Sequence, residues 1–163
     1  RGVGGGDTSP GPEPQQPIRL LSTAHEVDFP DEIEFTLEIE GDETITEVTL
    51  FYRLGRRDVK IFGYPDFTPG KRITATFGVK TGAPRFIPSG VDISYYYRVR
   101  DTTGHTYETD TFLLEYLDPR YDWQRHQEGD MIVLWHNRPR AGVVRVAAEV
   151  SHKLVAVKEL LGL

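Results

Sequence analysis

Residues 31–41 read "DEIEFTLEIEG", and this stretch decides how the chain folds. Ile33, Phe35, Leu37 and Ile39 alternate with Glu32, Glu34, Thr36, Glu38 and Glu40. A period of two puts four apolar side chains on one side and four carboxylates on the other, which is a strand with one buried and one wet face. On a helix the same four apolar residues would fall on opposite sides and build no apolar stripe.

The same rhythm recurs downstream. "GDET" at 41–44 interrupts it and is expected to end the strand, after which "ITEVTLFYRL" resumes with Val48, Leu50 and Tyr52 on one side. "VKIFGY" predicts a short edge strand, closed by the Pro/Gly-rich "YPDFTPG". "KRITATFGVK" alternates through Ile73, Ala75, Phe77 and Val79, and "VDISYYYRVRD" through Val91, Ile93, Tyr95, Tyr97 and Val99. "DTTGH" is a tight hairpin signal and "TYETDTFLLEYLD" is the returning strand. Six or seven short strands with no helical period among them predict an antiparallel β-sandwich of the Ig/fibronectin III-like kind over residues 18–118.

The two ends read differently. Residues 1–17, "RGVGGGDTSPGPEPQQP", contain five Gly and four Pro and are expected to be a flexible leader. Residues 119–163 form a seam, the strand "MIVLWH" and one amphipathic helix, as the start of a second domain. The strand is almost wholly apolar and is expected to be covered on both faces. On the helix, from about Arg140, the residues Val143, Ala147, Val150, Leu154, Val157 and Leu161 lie within about 40° of one line and are expected to be its buried stripe. Gly162 suits the left-handed residue after a helix, with Leu163 placed for the accompanying apolar contact.

Composition narrows the function. The 163 residues are 38% hydrophobic and 11% aromatic, enough for a real core. A net charge of −6 argues against nucleic acid, and the densest basic patch (Arg53, Arg56, Arg57, Lys60) is interrupted by Asp58. No apolar run approaches the length of a membrane span. With no cysteine there is neither a disulfide nor a thiolate chemistry. The sequence opens on Arg1, so a processed form or an excised fragment is expected.

Candidate sites are sparse. Glu149 and His152 have the Glu-x-x-His spacing of di-iron helices, but they lie opposite the apolar stripe and lack partner helices. His126 and His136 flank the apolar strand ten residues apart, without the closely spaced pair that zinc sites favour. Neither His-Glu-x-x-His nor Gly-x-Ser-x-Gly occurs. No catalytic residue, metal ligand or cofactor is therefore assigned. Tyr96, Arg98 and Arg100 share the outward face of their strand and form a possible sugar or peptide platform. The plainer account of them, an aromatic-rich central strand, is the stronger of the two. Trp123 and Trp135 are expected to pack the seam between sandwich and helix.

A family resemblance rests on Ile87–Gly90, Tyr95–Tyr97, the hairpin Asp101–Gly104 and the seam Asp118–Trp123, followed by Met131–His136 and Val143–Leu161. Together these resemble exported bacterial proteins of the peptidase MA-like (gluzincin-type) group, in which a β-sandwich precedes a zinc-peptidase domain. The resemblance implies an extracytoplasmic, non-catalytic accessory module whose first partner is a downstream domain of the same polypeptide. That family's zinc-binding helix matches no position here, so no catalytic residue carries over. The alternative is a stand-alone binding or adhesion module with a protein or polysaccharide ligand.

Overall fold

The computed structural model describes residues 16–55, 59–84 and 86–162. Nearly all of the expected leader, residues 1–15, lies outside them. Pro17, at its end, is held in place: its carbonyl accepts from the Asp42 N–H at 2.9 Å.

One strand organises everything else. β2 (Glu32–Leu54) runs for 23 residues, through the "GDET" that was expected to end it. Its first half pairs antiparallel with β1 (Ile18–Asp28) on one side and β4 (Gly70–Lys80) on the other. Its second half pairs with β3 (Ile61–Gly63) and β5 (Val91–Asp101). Both ladders slip in register close to residue 45. The tetrapeptide is thus an irregular corner inside a strand, not a turn between two. Gly41 permits it, because a Cβ there would sit 2.9 Å from the Glu43 carbonyl oxygen. Bent at this corner, one seven-stranded sheet supplies both layers of a β-sandwich.

The alternating residues go inside as the period requires. Ile33, Phe35, Leu37 and Ile39 meet Val48, Leu50, Ile93, Tyr97 and Val99 in one buried cluster. Tyr95 is its aromatic hub, edge-on to Phe35 at 4.8 Å and to Tyr97 at 6.0 Å. The expected single strand after the 101–105 hairpin is two, β6 (Thr106–Glu108) and β7 (Phe112–Tyr116), both on β5. Thr109 makes the break: its Oγ1 replaces a backbone carbonyl in accepting from the Tyr97 N–H at 3.0 Å. β1 carried little pattern because most of it is exposed, on an edge.

After Asp118 the chain leaves the sandwich. β8 (Gln124–Glu128) and β9 (Met131–Trp135) form a separate hairpin, followed by α1 (Arg140–Leu161), ended by Gly162 at φ 69°. Leu163 lies outside the described residues. The junction is polar: Asp118 accepts from Arg120 Nη2 at 2.6 Å, and the Trp123 indole donates to the Asp118 carbonyl at 2.8 Å. The Arg120 guanidinium holds the Asp118 carboxyl below the ordinary aspartate value.

Two expectations fail in this appendage. β9 is not covered on both faces; only Trp135 is buried, and Ile132 is exposed. The apolar strand rests on a single polar partner, β8, with the helix on one side. Nor is the predicted helix stripe buried. Ala147 is 2% exposed, but Leu154 is 47% exposed, and Val150, Val157 and Leu161 are exposed as well. The less exposed residues are Val143, Val144, Ala147 and Ser151, centred about 55° round the helix from the predicted line. Beyond Ser151, the tether to the hairpin is Lys158 to Asp130 at 3.6 Å. A helical wheel finds the face that would gain from burial, but it does not supply the surface to bury it.

Candidate functional site

The outward face of the second half of β2 carries an anomaly. Between Thr49 and Arg53, where alternation asks for polar residues, stands Phe51. Its direct cross-strand neighbours are Phe62 of β3 and Tyr96 of β5. Residues paired in this way share a face, so three aromatic side chains form a row across three strands. Phe51 and Tyr96 stack with centroids 5.0 Å apart at 13°, and Tyr64 extends the row edge-on to Phe62 at 5.8 Å. Phe62 and Tyr64 are 59% and 68% exposed. From the spacing of strands the three ring positions on β3, β2 and β5 span about 10 Å.

Polar groups flank it. On one side the row is Thr49, Arg98 and Glu108, in which Arg98 pairs with Glu108 at 2.6 Å and lies 5.0 Å from the Phe51 ring centroid. One row further out Arg100 faces Glu47 at 4.0 Å. On the other side are Arg53 and Ser94. Lys60 donates to the Tyr96 hydroxyl at 3.2 Å and lies 5.4 Å from that ring's centroid. Phe51, Lys60, Tyr96 and Glu108 line a shallow depression of 320 Å³, and Glu47, Arg98, Arg100 and Thr106 line an adjoining one of 370 Å³.

The structure therefore brings together Tyr96, Arg98 and Arg100, the three outward residues singled out from the sequence. It adds Phe51, Phe62, Tyr64, Lys60 and Glu108, which sequence reasoning missed. Phe51 was findable as an aromatic at an outward position of an otherwise regular alternation. Phe62 and Lys60 were not, because only the pairing of β3 with β2 brings them to this face.

The other candidates stay apart. His126 contacts Glu128 at 3.0 Å, while His136, at the other end of the hairpin, stacks on Tyr121 at 4.0 Å. His25 bonds to the Tyr95 hydroxyl at 3.1 Å, and His105 to Asp101 within the hairpin. Glu149 and His152 are exposed on the helix. Among the described residues no three His, Cys, Asp or Glu side chains come together as a metal-holding group, and no helix is long and apolar enough to cross a membrane. Trp135 packs within the appendage and donates to the Arg138 carbonyl at 3.2 Å, while Trp123 binds the seam.

Phe62 and Tyr64 are exposed and Phe51 and Tyr96 half-buried, so the row offers aromatic faces flanked on both sides by hydrogen-bonding groups. Compared with known proteins, the chain matches no family model and no curated protein. Among solved structures it is similar to the crystal structure of a carbohydrate-binding module family 56 β-1,3-glucan binding domain. The identity is 18% and the TM-score 0.35, over 57% of this chain and 95% of that one. At that level of superposition the likeness carries no argument about this chain.

Proposed function

We propose that this protein is a non-catalytic binding module that holds a polysaccharide along the row Tyr64, Phe62, Phe51 and Tyr96. The observation that supports it is the cross-strand register of Phe62, Phe51 and Tyr96 on a wet sheet face. A pyranose ring has an apolar face of C–H groups and a rim of hydroxyls. Aromatic rings cover the first, while Arg98, Glu108, Thr49 and Ser94 answer the second as donors and acceptors.

Native gels cast with soluble polysaccharides test this directly. Phe62→Ala and Tyr64→Ala, both at exposed positions, should each weaken retardation about fivefold or more. Their thermal melts should stay close to the parent, as exposed substitutions do. Unchanged retardation in the double variant sinks the reading.

A second reading, service to a larger exported peptidase-like protein, draws on one observation. The helix stripe from Val150 to Leu161 is apolar and exposed, as a surface awaiting a further domain would be. Hydrogen exchange of the product of the whole reading frame tests it: amides 150–161 should be protected there and exchange freely here.

A further inference from the structure

We infer that the polymer held on this face is an anionic polysaccharide, with carboxylate groups spaced along a hydroxyl-rich chain; this rests on the polysaccharide reading of the same site. The charge beside the aromatic row is its ground. The row and its two immediate neighbours carry three cations, Arg53, Lys60 and Arg98, and one carboxylate, Glu108. Arg98 is neutralised by Glu108. Arg53 and Lys60 have no ion pair among the described residues, and Lys60 leans on the Tyr96 ring and hydroxyl.

This local surplus runs against the chain's net charge of −6. It also runs against the opposite wet face of the sandwich. There Glu26, Asp28, Glu32, Glu34, Glu38 and Glu40 share a side with Arg19, Arg72 and Lys80, and Glu26 stands directly across from Glu34. Elsewhere on the aromatic layer Arg100 faces Glu47, and Asp92 of β5 stands across from Glu115 of β7, so the cationic surplus is confined to the row and its two immediate neighbours. A neutral glycan would gain nothing from that local surplus, whereas a carboxylated one would be drawn to it.

The carboxylates that remain discriminate further. Glu108 and Glu47 are acceptors only, and need donors to replace the arginines they now hold. Sugar hydroxyls are such donors. A DNA phosphodiester backbone carries no hydroxyl and offers them no such donor. Hydroxyls for the carboxylates and carboxylates for Arg53 and Lys60 together describe a uronate-type polymer.

Affinity gels containing polygalacturonate, gels containing a neutral β-glucan, and shift assays with a single-stranded oligothymidylate separate the outcomes for the intact chain. We expect polygalacturonate to retard the protein most. Arg53→Gln with Lys60→Gln should weaken that retardation about tenfold, and by more than it weakens any neutral-glucan retardation. Raising salt to about 0.5 M, where the Debye length is roughly 4 Å, should do the same. Equal, salt-insensitive retardation by both polysaccharides overturns the anionic inference and leaves the polysaccharide reading standing. No retardation by either overturns both. A stronger shift with oligothymidylate than with polygalacturonate makes the face a nucleic-acid site and likewise overturns both.

Discussion

The sandwich and the appendage that follows it are built from similar apolar repeats, yet they end in different physical states. In β2, Ile33, Leu37, Ile39 and Leu50 are fully buried. In α1, Val150, Leu154, Val157 and Leu161 repeat just as regularly and remain exposed. The sandwich closes because a bent strand supplies both layers, so each inward side chain meets another across the gap. Among the described residues the helix packs chiefly on a two-stranded hairpin, whose width is exhausted within two turns. Periodicity states a demand for burial. Whether the demand is met depends on how much facing surface the same chain provides.

The largest effect expected from this contrast lies in the sandwich. Leu37→Ala should cost about 2–5 kcal/mol, the range for emptying a fully buried leucine site. Chemical denaturation followed by circular dichroism measures it. A cost under about 1 kcal/mol would mean that the two layers are not packed as described. Both tryptophans, Trp123 and Trp135, lie in the appendage, so their fluorescence follows it separately. If the regions are as unequal as their burial, fluorescence should change at lower denaturant than the circular dichroism of the sheet. Coincident transitions would make them one cooperative unit.

A smaller effect should appear in acid. Burial alone would raise the Asp101 carboxyl, but hydrogen bonds from Thr103 and His105 outweigh it and hold the group below the ordinary value. Asp118 is also held down, chiefly by Arg120. In the folded chain these groups release their protons more readily than in the unfolded chain. Their stabilisation is therefore complete above the unfolded aspartate value of about 3.9, and is lost as the pH falls through the lower folded values. Asp101 belongs to the sandwich hairpin and Asp118 to the junction. Asp101→Asn should flatten the acid limb of the circular dichroism signal, and Asp118→Asn that of the fluorescence. An acid limb unchanged by either substitution would mean that other carboxylates govern it.

How much of this was legible follows the same division. The inward residues of β2, β4 and β5 could be read because each strand is half wet, which makes alternation informative. The continuity of β2 through Gly41 could not be read, since a corner and a turn use the same small and polar residues. β8 was missed because "QRHQE" buries nothing fully and so carries no rhythm. The smaller part of the candidate site was visible for the same reason that the sandwich was. Tyr96, Arg98 and Arg100 lie outward on one regular strand, whereas Phe62 and Lys60 reach that face only through pairing between strands, which a single strand's pattern does not contain.

The smallest effect is the most diagnostic of the helix. Leu154 lies on the predicted stripe, and full burial would make Leu154→Ala cost several kcal/mol. At 47% exposure much of that transfer energy was never gained. Alanine is also the better helix former, which returns about 0.2 kcal/mol in a helix whose valines contribute little intrinsic propensity. The two terms oppose each other, and the net change should fall within about 0.5 kcal/mol of zero. Ala147→Asp places a charge at the one buried helix position and should instead release the helix, lowering the fluorescence midpoint while leaving the sheet signal in place. If Leu154→Ala lowers the midpoint as much as Ala147→Asp does, the stripe is covered in solution. The helix would then owe its stability to a surface beyond the hairpin against which it is seen to rest.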